Sequence, residues 1–376
     1  MAKLLMITGR GSAVDLASGK KGAFYNTLDE FHKYWERIDI ITPKVKSPVP
    51  NVFGNVFIHS SPWPLLFHPV FFIRKALKIY SQEKFDLITV HEFPPFYNGI
   101  AARLIWNKIK VPYILEIFHI PGYPKAASLK EKIYRQFFYF FIKQDSKKAK
   151  AVRVMSSQIA GKLASLGIPE SKINLIPAIY VDLDIFKPMS LEKKYDLIFV
   201  GRLEKNKGVK LLLDAIRILV FKFNLHSLKV LIVGDGSEKI KLKIKADELE
   251  IEDNLNFYGW AEDSNKVAAL LNQSKLLVMT SYNEGGPRVV LEAIACRVPI
   301  LATPVGIVAD IIKDGQFGRI ISWNAEDIAE KINLFLSNES EYQKYSQRDI
   351  EIVSQFEKKS AIKNYAERLQ KLIRPL

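Results

Sequence analysis

The stretch "YDLIFVGRLEKNKGVKLLLDAI", residues 195 to 216, decides the fold. Its first part is a compact apolar run that ends at Gly201. Its last part, after Gly208, repeats apolar residues at helical spacing. Between them Arg202, Lys205 and Lys207 occupy a short polar loop. A strand that passes through a few residues directly into a helix is half of a βαβ unit, and the same pattern recurs on both sides. Downstream, "KVLIVG" (229–234), "LNFYG" (255–259), "KLLVMTS" (275–281) and "VPILAT" (298–303) read as strands. Helices are predicted over 208–222, 237–250, 263–273, 287–296 and 325–336. Upstream, "KLLMIT" (3–8), "RIDIIT" (37–42), "NVFIHS" (55–60), "DLITV" (86–90), "PYILEIF" (112–118) and "AVRVMS" (151–156) read the same way, with a helix over 98–109.

The alternation predicts an α/β fold of two doubly wound, Rossmann-like domains facing a central cleft. The pattern breaks at "DIFKPMSLEKKYD" (184–196), where Pro188 and a charged run intervene. An N-terminal domain is therefore expected over 1–188 and a C-terminal one over 189–355. A helical tail over 356–376 is expected to pack back on the first.

Composition narrows the function class. The chain has 376 residues, 48% apolar and 25% charged, which suits two globular domains. Cys296 is the single cysteine, so no internal disulfide forms and a reducing, cytoplasmic setting is expected. "MAKLLMITGRG" reads as a first strand entering a glycine turn rather than a signal peptide. The longest apolar runs, "PLLFHPVFFI" (64–73) and "FFYFFI" (137–142), fall well short of the roughly 20 residues that span a bilayer. A net charge of +15 favours anionic partners, whether nucleic acid, anionic lipid or phosphorylated substrate, and cannot choose among them.

Ligands of doubly wound sheets bind beyond the carboxyl ends of the strands. Two such loops carry candidate chemistry. In "SYNEGGPRVVLEAIA" (281–295), Glu284 precedes Gly285, Gly286 and Pro287, and Glu292 lies just over one turn into the following helix. Pro287 is expected at the first helical position, with the adjoining amides of Arg288 and Val289 free to meet an anionic or hydroxylated ligand. At the other loop, Gly201, Arg202 and Lys207 offer two cations suited to a diphosphate. Taken singly, each segment reads equally well as an ordinary loop-to-helix junction or a solvated basic loop.

Together the segments resemble the retaining glycosyltransferases of family 4, which have the two-domain architecture called GT-B. The pattern Gly201-Arg202…Lys207-Gly208, then Glu284-Gly285-Gly286-Pro287 and Glu292-Ala293, carries the resemblance. It continues through "KINLIPAIYVDLDIFKP" (172–188), "GDGSEK" (234–239), "FYGW" (257–260) and "VPILATPVGIVADIIKDGQFGRII" (298–321). The C-terminal half is covered almost continuously and the N-terminal half thinly. The resemblance implies that Glu284 faces the donor sugar, Glu292 binds the ribose, and Arg202 and Lys207 meet the diphosphate. It also implies that His119 lies near the reacting sugar and that the glycine loop holding Gly11 covers donor and acceptor. Two positions depart from the family: Arg297 and Ile307 stand where glycine is usual. His91 also follows a strand, and the facing of Glu116 is left open.

The implied reaction moves a hexosyl group from a UDP- or GDP-sugar to a saccharide or lipid-linked acceptor of surface polysaccharide assembly. No further cofactor is expected, and no spacing of acids, His or Cys suggests a metal. A sugar-nucleotide epimerase of the same architecture is the rival enzyme. A basic protein that binds membrane or nucleic acid without catalysis is the third reading, and nucleic acid is placed last. Peripheral association with an anionic inner membrane face is expected from the charge. In "SLKEKIYRQFFYFFIKQDSKKAKA" (128–151), five consecutive aromatics, Phe137 to Phe141, cannot share one helix face, so the block is read as packed in the core. Its lysines, and "SPWPLLFHPVFF" (61–72), are read as facing membrane.

Overall fold

The computed structural model describes residues 1–9, 11–64, 67–92, 94, 96–177, 179–312, 317–346 and 351–373. Parts of the segments quoted above, namely Arg10, Leu65, Leu66, Ala178 and residues 313–316, lie outside the described residues. The chain divides into two units. One comprises Met1–Pro121, Lys132–Ala178 and Lys359–Leu376; the other comprises Gly122–Glu131 and Ile179–Lys358.

The first unit holds β1 (Lys3–Ile7), β2 (Arg37–Thr42), β3 (Asn51–Val52), β4 (Val56–Ser60), β5 (Leu87–His91), β6 (Tyr113–Ile117), β7 (Ala151–Val154) and β8 (Ile173–Leu175). They form one sheet in the order β3-β4-β2-β1-β5-β6-β7-β8, parallel except for β3 against β4. β1, β5 and β6 are almost wholly buried, as expected of strands covered on both faces by crossover helices. The strand order reverses between β1 and β5, so the ligand-side crevice of this unit opens after Ile7 and His91. The helix Lys358–Lys371 belongs here through a buried polar cluster. The Tyr365 hydroxyl donates to Glu116 Oε1 at 2.5 Å, Arg153 Nη1 donates to the same oxygen at 2.7 Å, and His91 Nε2 lies 2.8 Å from Oε2. Burial pushes the Glu116 carboxyl up, but Arg153, His91 and Tyr365 outweigh it and hold the group at about 2. Glu116 therefore faces inward, and its charge ties three elements together.

The second unit holds β9 (Tyr195–Val200), β10 (Val230–Val233), β11 (Leu255–Gly259), β12 (Ser274–Met279), β13 (Ile300–Ala302) and β14 (Gly318–Ile320). All are parallel, in the order β11-β10-β9-β12-β13-β14. That is the doubly wound dinucleotide-fold order, with its reversal between β9 and β12. The helix Val209–Phe221 buries Val209, Leu212, Leu213, Ile216 and Leu219 at helical spacing against this sheet. Each such side chain contributes roughly 1.5–3 kcal/mol relative to exposure.

The helix Arg288–Ala295 starts one residue later than the sequence suggests: Pro287 is its N-cap, extended at φ −70° and ψ 105°. Its C-terminus explains one departure from the family. The amides of Arg297 and Val298 donate to the carbonyls of Ile294 and Ala293, a Schellman closure that places Arg297 at φ 57°. Glycine takes that conformation freely, whereas arginine is strained there. Ile307 is different. Its φ is −74°, ordinary helical backbone, so a side chain costs nothing in conformation.

Candidate functional site

The loops after β9 and β12 meet at the reversal of strand order. Gly208 (φ 67°) lets the first loop lie on the end of β12, since a Cβ there would overlap the Thr280 carbonyl oxygen. The Thr280 hydroxyl closes the seam by donating to the carbonyls of Lys207 and Gly208 at 3.2 and 3.0 Å. The Tyr282 amide adds a bond to the Asn206 carbonyl at 2.8 Å. The second loop is held from behind by the Trp323 indole and the Thr303 hydroxyl, which donate to the Ser281 carbonyl at 2.9 and 2.6 Å. A close backbone approach fixes it further: Gly306 (φ 54°) lies against the carbonyl of Gly285, leaving no room for a Cβ.

These constraints gather most of the sequence candidates. Gly201, Lys207, Ser281, Pro287, Arg288 and Val289 line one cavity of about 210 Å³. Lys207 Nζ donates to Glu284 Oε1, which also accepts from the Ser281 hydroxyl at 3.1 Å. The acid and the cation, which the resemblance assigns to sugar and diphosphate respectively, are thus direct partners. No side chain caps the helix Arg288–Ala295; the Val290 amide donates to the Pro287 carbonyl at 3.2 Å, and helix geometry leaves the Arg288 and Val289 amides without intrahelical acceptors. Cation, amides and dipole therefore bear on one space, the combination that binds phosphate. Gly286 adjoins Pro287 in the same loop.

Arg202 is exposed in the loop after β9. It adds to the effect of two Ser237 hydrogen bonds that hold the Glu204 carboxyl below its ordinary range. Glu292 sits one turn below the cavity-lining residues. Burial lifts its carboxyl to about 7, against a weaker pull from Arg288. Arg288 stacks its guanidinium over the Tyr180 ring at 4.4 Å. At neutral pH Glu292 is therefore only partly ionised. A hydroxyl donor placed beside it would favour the charged form.

The other candidates lie in the first unit. Gly11 (φ 98°) precedes the helix Ser12–Ala17 and lines a cavity of about 550 Å³ with Asp15, Lys44 and His68. His119 is exposed just past β6 and does not line that cavity. His91 is committed to Glu116.

Sequence reasoning missed three features. Ser281 was passed over although it both lines the cavity and orients Glu284; it stands at the end of the quoted strand and was legible as a loop hydroxyl. Residues Gly122–Glu131 carry no such signal, yet they belong to this unit. Asn283 Nδ2 donates to the Lys125 carbonyl and to Glu131 Oε2 at 3.1 and 3.0 Å, and the Lys125 amide donates to the Tyr282 carbonyl at 3.2 Å. The chain also contains an Asp-x-Asp triplet, Asp182-Leu183-Asp184, that the reading for metal sites overlooked. Asp182 turns back to accept from the Asp184 amide at 3.2 Å, and among the described residues no three His, Cys, Asp or Glu side chains gather as a metal set.

Comparison with known proteins identifies the family. Residues 182–351 match the family described as glycosyl transferases group 1, and residues 25–179 match Glycosyltransferase Family 4. An uncharacterised glycosyltransferase of Methanocaldococcus jannaschii is 30% identical over 299 residues, 77% of each chain. An α-1,4-N-acetyl-D-galactosaminyltransferase of Campylobacter jejuni, whose name specifies an undecaprenol diphosphate-linked saccharide, is 29% identical over 73% of this chain and 70% of its own. Among solved structures, sucrose-phosphate synthase of Thermosynechococcus elongatus superposes with a TM-score of 0.82 at 18% identity, over 99% of both chains. Anabaena HepE, solved with UDP and glucose, gives 0.74 at 17% identity, over 99% of this chain and all of the other. With a largely parallel α/β sheet in each unit and matches along most of its length, this chain belongs to the family 4 type of glycosyltransferases, with the GT-B fold.

Proposed function

We propose that this glycosyltransferase moves a hexosyl group from a UDP- or GDP-sugar to a saccharide or lipid-linked acceptor of surface polysaccharide assembly. The reading includes retention of anomeric configuration, no requirement for a divalent metal, and peripheral association with an anionic membrane face. The observation that carries it is the cavity that Lys207, Gly201 and the uncapped start of the helix Arg288–Ala295 share. A diphosphate would take the place of the Glu284 carboxylate at Lys207, and Glu284 would then accept from the donor sugar's hydroxyls. Glu292 would accept from the ribose. The donor C1–O bond breaks as the acceptor oxygen bonds to C1 on the same face, and the acceptor proton passes to the departing diphosphate. Arg202, Lys207 and the helix amides stabilise the charge that builds on that leaving group, which is worth more in the transition state than in the bound donor.

The family resemblance assigns His119 to the reacting sugar and the Gly11 loop to the donor and acceptor. It also assigns acceptor recognition to residues 1–188 and donor recognition to 189–355. HepE was solved with UDP and glucose, and the Campylobacter relative is named for a lipid-linked saccharide, which supports both ends of the reaction. The test is a mass-spectrometric screen of sugar nucleotides with and without lipid-linked acceptors, in chelator. Expected is acceptor-dependent release of nucleoside diphosphate from one donor, and a product whose anomeric signal by NMR matches the donor. An inverted product refutes retention, and loss of turnover in chelator refutes metal independence. A new sugar nucleotide formed without acceptor would establish epimerisation instead.

A further inference from the structure

The helix Leu129–Asp145 has two faces. One buries Phe138, Ile142 and Asp145 in the first unit. On the opposite face Ile133, Phe137 and Phe140, spaced four and three residues apart, remain 48%, 53% and 62% exposed. That spacing puts the three on one line along the helix. Exposed Lys132 and Lys143 run along one side of the line and exposed Lys147 stands just past the helix end, and no carboxylate pairs with them among the described residues. At the C-terminal end of this face a cavity of about 410 Å³ is lined by Lys143, Lys147 and Lys172 together with Leu166 and Ile168. Lys172 builds its wall, donating to the carbonyls of Ser146 and Lys147 at 3.0 and 2.9 Å. Lys143 and Lys147 are left to face outward.

We propose that the line Ile133-Phe137-Phe140 is the surface by which this protein lies on an anionic phospholipid bilayer, with a lipid phosphate seated in the adjoining lysine-lined cavity. The aromatic block read from sequence as core is therefore split: Phe138 is core, and Phe137 and Phe140 are the docking face. An apolar ridge beside a row of cations is the arrangement of helices that lie in the plane of the membrane interface, and no helix among the described residues is long and apolar enough to cross one. A second copy of this chain fits the face poorly, since it would set lysine against lysine, whereas anionic headgroups complement it.

The inference rests on the peripheral association proposed above and specifies its surface. The test is flotation of the full chain, without donor or acceptor, with vesicles of phosphatidylcholine alone or mixed with phosphatidylglycerol. Wild type should float with the anionic vesicles only. Phe137→Ser with Phe140→Ser should lower that partition about tenfold or more, since the two half-exposed rings together are worth more than one decade when buried. Lys143→Ala and Lys147→Ala should each lower it about five-fold at low salt. Phe67→Ser with Val70→Ser, exposed side chains of the 61–72 segment, should leave it unchanged. Failure of wild type to float overturns peripheral association and this surface together. Binding by the Phe137/Phe140 variant equal to wild type, or loss confined to the Phe67/Val70 variant, overturns this surface alone. A wild-type dimer that the Phe137/Phe140 variant converts to monomer would assign the face to a second copy and overturn the membrane docking.

Discussion

Replacing Glu292 by glutamine separates the two properties that burial gives this carboxyl. Its ordinary value is 4.5, and the site raises it to about 7. A group raised on folding leaves stability intact below its unfolded value and removes it as pH climbs through the folded one. At about 1.4 kcal/mol for each tenfold in the ionisation constant, the wild-type chain loses about 3 kcal/mol between pH 4.5 and pH 8. Glu292→Gln, which cannot ionise, escapes that loss. Urea or thermal melts should therefore find the variant close to wild type at pH 5 and more stable at pH 8.5. For a unit of this size the difference in Tm should be roughly 6–12 °C. Affinity should move the other way. The variant lacks the carboxylate that hydroxyl donors call up, so nucleotide binding should weaken. Wild-type binding near pH 7 should release a proton, seen by calorimetry as a binding heat that depends on the buffer's ionisation enthalpy. A variant whose stability differs from wild type equally at pH 5 and pH 8.5, or buffer-independent wild-type heats, would refute the reasoning.

Three further outcomes are expected. Arg202→Ala and Lys207→Ala should each lower kcat on the order of 10²-fold with a smaller change in donor KM; unchanged turnover in steady-state assays would remove them from the reaction. Arg297→Gly should raise the stability of the second unit by about 1 kcal/mol in urea melts, because the Schellman position then holds a residue suited to positive φ; a loss of stability would show that the arginine side chain compensates for its strained backbone. Asp145 is raised to about 6, chiefly by burial and against the pull of Arg103 at 3.7 Å. Its neighbour Glu92 is raised by burial and by Asp145 itself, and both acids reach within 2.5 Å of the point where a Cβ on Gly99 would stand. The first unit should lose stability as pH rises through 6, and Asp145→Asn should reduce that loss by up to about 3 kcal/mol in melts at pH 8; identical pH profiles for the two proteins would refute it.

Most strands were legible because each is a compact apolar run between polar turns. β2 and β11 start and end where the sequence pattern puts them. β3, β8 and β14 were not: they are two or three residues long, as β13 is, but lack the bounded apolar run that marks β13, and are defined only by the partner that pairs with them. The short aromatic run of 137–141 shows the same limit from the other side. Geometry forbids five rings on one face, but which rings stay wet depends on what covers the helix.

The candidate site divides along the same line. Glycine, proline and charge spacing marked the loops after β9 and β12 as candidates, because backbone freedom, a missing amide and a fixed charge are properties of residues. Direct bonding of Lys207 to Glu284, the rise in the Glu292 carboxyl and the joining of residues 122–131 to the second unit follow from contacts between positions far apart in the chain. Spacing thus determined the fold class, and the resemblance of two loop segments to a known family pointed to the type of chemistry. Tertiary structure alone decided which charges are paired, which acids are forced towards neutrality and which apolar side chains are left bare, because desolvation and Coulomb attraction depend on distance in space and not on separation in sequence.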